Sequence, residues 1–374
     1  MSSRMIPATS PIATVHLQNI ADNWRMLDKL GGSCETGAVV KANAYGLGAR
    51  EVSKTLFDAG CRTFFTAYVN EADIVRETLG PDVQVLVFHG PQKEDVAQFI
   101  ANRLIPVINS PDQAQLWVEA GAPYPAAIHI DTGINRLGVR PSQIETVRKI
   151  LPETTVGWVM SHLACADEPD HPLNALQKQR FEEAAASWPR ARKSLCNSAG
   201  ICLGKDYAYD LTRPGLGLYG GYSRSGVFSP RHAVSVSAPL LSVFYPDEET
   251  DRTPTVGYGA TKNVSRQMRL GTVSLGYADG LPRALTNKGF GYIGGALCPI
   301  VGRVSMDLVT LDITNASDDI QPMDRVEFLG LNAHIEHQAA AAGMVSYEFL
   351  TSIGVRVRRL YEGAVVRDEG LNSK

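Results

Sequence analysis

The stretch "AVVKANAYGLGA", Ala38 to Ala49, puts a lysine where an apolar run stops and a glycine-bearing loop starts. Ala38–Ala42 reads as a buried strand, and Ala49–Ala59 behind it has apolar residues at helical spacing. The loop between them is no nucleotide P-loop, because the order G-x-x-x-x-G-K-[ST] is missing. Strand, loop and helix make one βα unit, and that unit recurs downstream.

Further strands are predicted at Thr63–Tyr68, Val83–His89, Ile105–Ile108, Ala126–Asp131, Val156–His162, Ser194–Asn197 and Tyr209–Leu211. Helical spacing falls between them at Val69–Leu79, Glu94–Asn102, Pro111–Gly121, Pro141–Leu151 and Leu173–Trp188. Aspartate, serine or proline tends to stand where these helices begin. Eight such units with right-handed crossovers predict an α/β fold, a closed (β/α)8 TIM-like barrel, with a doubly wound open sheet as the alternative. From about Ala233 the texture changes. Segments such as "AVSVSAPLLSVFY" and "GYIGGALCPIVGRVSMDLVTLDI" alternate in polarity around glycine turns, and only Ile335–Gly343 reads as helix. The expected division is a barrel over residues 1–232 and a C-terminal, mostly β domain over 233–374, with the tail "RDEGLNSK" frayed.

The 374 residues carry a formal net charge of −3 and are 44% hydrophobic, which gives no basic surface for nucleic acid and no membrane-binding composition. No run approaches the ~18 apolar residues of a membrane span. The N-terminus lacks the apolar core of a signal peptide, and the six cysteines include no C-x-x-C pair, so reduced thiols in the cytoplasm are expected. The eight histidines form no H-E-x-x-H, and no metal site is expected. "RVRR", Arg356 to Arg359, reads as a solvated or interfacial strand.

Barrel enzymes place their chemistry at the C-terminal ends of the strands. Polar residues gather there in this chain: Lys41, Tyr45, Asp131, Arg136, His162, Asn197, Ser198, Arg213 and Gly215. A lysine withdrawn from water has a depressed pKa and can act as a nucleophilic amine or a base. "NSAG" and "RPGLG" at the late loops offer a hydroxyl and free backbone N–H groups to a phosphate. Lysine plus phosphate site suggests either an aldolase-type Schiff base or pyridoxal phosphate (PLP). Arginine and histidine at neighbouring strand ends, suited to holding an aromatic ring, tilt the choice toward PLP.

The lysine block, followed in order by "DTGINRLG", "SHLACADE", "NSAG", "RPGLGLYG", "VGYGAT", "GYADGLPR", "VGRVSMD" and "SYEF", resembles the alanine racemase family across nearly the whole chain. The resemblance implies a PLP-binding barrel with a C-terminal β domain. It implies pyridoxal 5'-phosphate carried covalently on Lys41 as an aldimine. Tyr45, Ser198, Gly215, Leu216 and Tyr347 would cradle the phosphate, His162 would flank the ring, and Arg213 would face the pyridine nitrogen. Lys41 would act as base on D-alanine and Tyr258 on L-alanine. Tyr258 would reach the site from the other subunit of a homodimer. Because an unperturbed tyrosine titrates at ~10, nearby cations such as His162 and Arg213 are expected to assist it. Arg136 and the backbone of Met306 would meet the substrate carboxylate, with Tyr277 at the entrance and Asp307 ordering the same loop.

Two positions depart from the family pattern. Many members have a lysine, carbamylated and orienting the arginine, seven residues before Arg136; here that residue is His129. A histidine forms no such stable carbamate, so something else, such as Asn135 or a bound anion, is expected to hold Arg136. Ser305 stands where the family has cysteine, which looks harmless. The expected function is an isomerase that racemises alanine. A serine or broad-specificity racemase is the nearest alternative. A PLP carrier would lack the second domain with its tyrosine, and a PLP decarboxylase would face the ring nitrogen with an acid instead of Arg213.

Overall fold

The computed structural model describes residues 8–222, 224–246 and 254–363; the tail expected to fray lies outside them. Strand β1 (Ile12–His16) leads into a helix, Leu17–Gly31. The chain divides at that joint into two compact units. Leu17–Arg231 forms one, and β1 joins His232–Gly363 in the other. The sequence reading counted residues 1–232 as one domain and began its alternation at Ala38, so neither β1 nor this helix was anticipated.

In the first unit, β2 (Glu35–Thr36) and β3 (Ala38–Val39) are halves of one extended run interrupted at Gly37. From β3 the parallel order is sequential through β4 (Thr63–Thr66), β5 (Gln84–Val87), β6 (Ile105–Ile108), β7 (Ala126–His129), β8 (Val156–Met160) and β9 (Arg192–Ser194). The last strand, β10 (Leu211–Thr212), pairs with β2. Closure is visible in the backbone bonds on both sides of it. Gly37 and Val39 donate to Thr212 and Pro214, each at 2.9 Å, while Asp210 donates to Lys193 at 3.1 Å and Arg213 to Cys196 at 2.8 Å. The sheet is therefore the expected (β/α)8 barrel and not an open doubly wound one. Gly37 sits where strands crowd, for a Cβ there would lie 2.9 Å from the Thr63 carbonyl.

Strands enclosed on both faces need apolar or β-branched residues throughout. Thr63–Thr66 is buried at every position, and Val39, Phe65, Leu86, Val107, Trp158 and Met160 pack as one cluster. Local signals start the surrounding helices. Ser110 Oγ accepts the Gln113 N–H at 3.2 Å ahead of Pro111, and Asn197 Oδ1 accepts the Gly200 N–H at 2.8 Å. The strand ends fall short of the sequence reading. The first run stops at Val39 and not Ala42, and the seventh spans Arg192–Ser194 and not Ser194–Asn197. Beyond Val39 one more strand-like bond is made, from the Val40 N–H to the Phe65 carbonyl at 2.9 Å, and the Ala42 N–H then turns to the Glu71 side chain.

The second unit is built on a long strand, β11 (Val234–Phe244). It pairs antiparallel with β1, with β14 (Leu270–Val273, after the short hairpin of β12 Thr255–Val256 and β13 Lys262–Asn263) and with β18 (Arg325–Leu329). β15 (Phe290–Ile293), β16 (Ala296–Pro299), β17 (Val309–Asp312) and β19 (Arg358–Glu362) complete the eight-stranded sheet. Two α-helices accompany it among the described residues, Ile335–Ala342 and Ser346–Ser352; only the first was anticipated.

Candidate active site

Lys41 is the second residue after β3, half-buried at the barrel rim. Its amine makes no hydrogen bond or ion pair among the described residues. Burial, then the charge of Arg136, lowers its pKa below the ordinary lysine value, against a smaller opposing pull from Glu71. An amine held this way is a better nucleophile near neutrality than a surface lysine.

The backbone immediately after Lys41 is unusual. Ala42, Asn43, Ala44 and Tyr45 have φ of 53°, 54°, 54° and 55°, one turn of left-handed helix without a glycine in it. Each such residue costs about 1–2 kcal/mol relative to the right-handed form, so the turn persists only because its surroundings impose it. Glu71 Oε1 accepts the Ala42 N–H at 2.7 Å, Asn43 Oδ1 accepts the Ala49 N–H at 2.8 Å, and Gly46 closes the turn onto the Ala42 carbonyl at 2.8 Å. Tyr45 leaves the turn stacked on Tyr219, with ring centroids 4.6 Å apart, and Tyr219 in turn donates to the Val39 carbonyl at 2.8 Å.

The late strand ends converge on two groups. Ser198, buried at the start of a short helix, accepts the N–H groups of Gly215 and Gly217 at 3.0 Å each. Leu216 lies between those donors and opens the turn Leu216–Tyr219. A side chain on Gly215 would come within 2.5 Å of the Tyr45 hydroxyl, so these four residues share one small space. Arg213 is 4% exposed, donating to Ser194 Oγ and to the Ser161 carbonyl at 2.6 Å each. Burial lowers it to about 10, which leaves it protonated at neutral pH.

His162 and His129 are held neutral. His162 is pushed down to about 3 by burial first and then by Arg213, and His129 to about 4 by the same two causes. This corrects the expectation that His162 lends positive charge to a tyrosine. Asp131 Oδ1 accepts the N–H groups of Gly133 (2.9 Å) and Asn135 (3.1 Å), shaping the loop that carries the exposed Arg136.

In the second unit, Tyr258, Tyr277 and Met306 line one open groove of about 830 Å³ together with Arg283, Arg303 and Asp307. Tyr258 is 75% exposed and stands between two glycines of positive φ, Gly257 and Gly259. The Met306 loop is tied to the Tyr277 turn by Tyr277 N–H to Ser305 O and Ala278 N–H to Met306 O, both 3.0 Å. A Cβ on Gly276 would overlap the Met306 carbonyl, which is why a glycine precedes Tyr277. Tyr347 lies apart from that lining, half-exposed on the helix Ser346–Ser352.

Sequence reasoning missed the residues that hold these groups. Glu71 is visible only as an acid in the first turn of its helix, and nothing announces its reach to Ala42. Gln177, fully buried, donates to Thr132 Oγ1 (3.1 Å) and the His162 carbonyl (3.0 Å) and accepts the Ala164 N–H (2.8 Å), tying two rim loops together. Arg356, in the stretch read as a solvated or interfacial strand, pairs with Asp307 at 2.7 Å and with buried Asp279 at 3.1 Å.

Residues 15–223 match the model of the alanine racemase N-terminal domain and residues 235–361 that of the alanine racemase C-terminal domain. The alanine racemase of Rhodospirillum rubrum is 43% identical over 364 residues, covering 94% of this chain and 96% of that protein. Among solved structures, alanine racemase from Bartonella henselae with covalently bound pyridoxal phosphate gives a TM-score of 0.87 at 34% identity, over 94% of this chain and 99% of that one. The biosynthetic alanine racemase of Pseudomonas aeruginosa gives 0.87 at 32%, over 95% and 99%. The matches run through both units, and the chain belongs to the alanine racemase family.

Proposed function

We propose that this chain is a PLP-dependent isomerase interconverting L- and D-alanine, with Lys41 and Tyr258 dividing the two proton transfers. The observation that carries the reading is the partly desolvated Lys41 amine at the barrel rim, without a partner among the described residues. The residues near it fit the cofactor. An amine of lowered pKa suits an aldehyde, the Gly215 and Gly217 N–H groups that now donate to Ser198 Oγ would turn with that hydroxyl to a phosphate, and a buried guanidinium suits a ring nitrogen. Tyr45, Gly215 and Leu216 complete the phosphate cradle, Tyr347 keeps the phosphate role the family resemblance gives it, and His162 flanks the ring.

When bound, the cofactor supplies an electron-withdrawing ring that acidifies the Cα–H of an attached amino acid. Arg213, protonated and fixed by two bonds, offers that ring only N–H donors and no proton to keep. The withdrawal is thereby weaker than an acid partner would allow, which favours return of the proton to Cα over delivery elsewhere. Lys41 Nζ takes the proton of D-alanine on one face and Tyr258 Oη that of L-alanine on the other. Arg136 and the Met306 N–H hold the substrate carboxylate, and Tyr277 guards the approach.

The exposure of Tyr258 on an open groove supports its service to a second copy, and hence a homodimer with shared sites. The first test is incubation with L-alanine in D2O, followed by chiral separation with mass detection. Convergence of the enantiomers with deuterium at Cα is expected. Protein that holds PLP but gives neither exchange nor D-alanine would overturn the reading, and serine would then be tried.

A further inference from the structure

His129 ends β7, and its own carbonyl accepts the Val139 N–H at 2.7 Å. Asp131 N–H returns to the Val139 carbonyl at 3.0 Å, so residues 132–138 form a closed loop standing on His129. Arg136 lies in that loop, and its guanidinium has no hydrogen bond or ion pair among the described residues. Asp131 does not serve it through Oδ1, which is engaged with the loop backbone.

The histidine ring is fixed from its other side. Asn109, buried just after β6, donates Nδ2 to the carbonyls of Phe88 (2.9 Å) and Val107 (2.8 Å). With the amide nitrogen so committed, Oδ1 is the atom that meets His129 Nδ1 at 2.9 Å. An amide oxygen only accepts, so Nδ1 carries the proton. The imidazole is neutral at working pH, through burial first and then Arg213. Nε2 therefore keeps a bare lone pair, and it has no partner among the described residues. Among the described residues, an acceptor without a partner at a strand end and a donor without one in the loop that closes on it are thus close enough for the Arg136 charge to act on His129.

We propose that His129 is a positioning residue whose Nε2 accepts a hydrogen bond from Arg136 and aims that guanidinium at the substrate carboxylate. A neutral acceptor suits the task. It fixes one N–H of the fork without cancelling the charge that the carboxylate needs, and Asn109 fixes the tautomer that makes it an acceptor. The proposal rests on the reading of Arg136 as the carboxylate-binding residue.

The test compares His129→Phe, His129→Gln, Arg136→Lys and the His129→Phe/Arg136→Lys pair as holoenzymes, with KM and kcat for L-alanine. Loss of one charge-assisted bond made in bound substrate predicts that His129→Phe raises KM about tenfold with a smaller change in kcat. His129→Gln, which restores an acceptor oxygen, should recover most of that loss. In the Arg136→Lys background His129→Phe should add less than about twofold, because coupled residues are not additive. An additive double variant, or an unchanged KM in His129→Phe while Arg136→Lys raises it, would overturn the proposal and leave the reading of Arg136 standing. An unchanged KM in Arg136→Lys would overturn both. Nitrogen NMR of histidine-labelled protein, with and without cofactor, gives a readout independent of activity. A protonated Nδ1 and bare Nε2 on His129 are expected, and a protonated Nε2 sinks the idea even if the phenylalanine variant fails to fold.

Discussion

The carboxylate of Glu71 holds the backbone of Ala42. Oε1 accepts the Ala42 N–H at 2.7 Å while Oε2 accepts the Ala67 N–H at 2.9 Å, so one side chain joins the rims of two neighbouring strands. It thereby supports the left-handed turn directly after Lys41. Glu71→Ala should lower stability by about 1–3 kcal/mol in urea unfolding, since the Ala42, Ala67 and Tyr68 N–H groups lose a charged acceptor. Glu71 also opposes the fall of the Lys41 pKa. Glu71→Gln should therefore move the pH midpoint of cofactor reincorporation into apo-protein downward. An upward move would contradict the placement of this charge beside Lys41.

How far the sequence could go is clear from this neighbourhood. The apolar run, the lysine and the helix after it are local patterns, and Ala49–Ala59 and Val69–Leu79 fall where periodicity puts them. The rim polar residues were readable because barrel topology assigns strand ends to chemistry. Four consecutive residues at φ near 54° were not, since Ala-Asn-Ala-Tyr has no glycine and its local preference is overridden by Glu71, nearly thirty positions away. The neutral state of His162 was missed for a similar reason. Burial and a neighbouring guanidinium are set by tertiary packing and leave no mark on the sequence "VMSHLA". Strand β1 escaped because its partners, β11 and β19, lie more than two hundred residues away.

If Tyr258 serves the site of a second copy, two inactive variants should repair one another. Lys41→Ala and Tyr258→Ala each lack one base. A mixed dimer then has one site missing both bases and one intact, provided the bases come from different chains. Co-refolding the two variants should therefore restore activity, roughly a quarter of wild type for random pairing with one working site in half of the dimers. Bases drawn from one chain would give no restoration. Tyr258→Phe alone should retain the visible absorbance of lysine-bound cofactor and slow L-alanine turnover most.

The two depressed histidines imply a stability profile. His129 and His162 titrate near 4 and 3 when folded, against an ordinary 6.5. The unfolded chain therefore binds more protons between those values, and stability rises with pH across that interval. Conversely it is lost as pH falls from 6.5 toward about 4, by about 1.4 kcal/mol per pH unit for each fully shifted imidazole. His129→Gln and His162→Gln should each flatten this slope in urea unfolding of the cofactor-free protein. A slope unchanged in both variants would show that the imidazoles are not held neutral.

Arg356 presents the sharpest case of a surface charge acting on a buried one. Asp279 Oδ2 accepts the Gly276 N–H at 2.9 Å, while its buried Oδ1 has only the Arg356 Nε charge beside it, 3.1 Å away and not aligned as a hydrogen bond, among the described residues. The same guanidinium reaches Asp307 at 2.7 Å, next to Met306. Burial already raises the Asp279 pKa, and Arg356 limits the rise. Removing the arginine pushes that pKa higher still. A carboxyl whose folded pKa lies above its unfolded value costs stability as pH climbs through the folded value and nothing well below the unfolded one. Arg356→Ala should therefore be destabilised at neutral pH, converge with wild type in acid, and recover when combined with Asp279→Asn. Activity should follow a different rule. Asp307 remains unpaired in that double variant, so the Met306 loop stays loosely held and KM for alanine stays raised about threefold to tenfold, with kcat altered less. Recovery of both stability and KM by Asp279→Asn would mean that Arg356 acts on Asp279 alone. Recovery of stability without KM would assign the ordering of the Met306 loop to the Arg356–Asp307 pair.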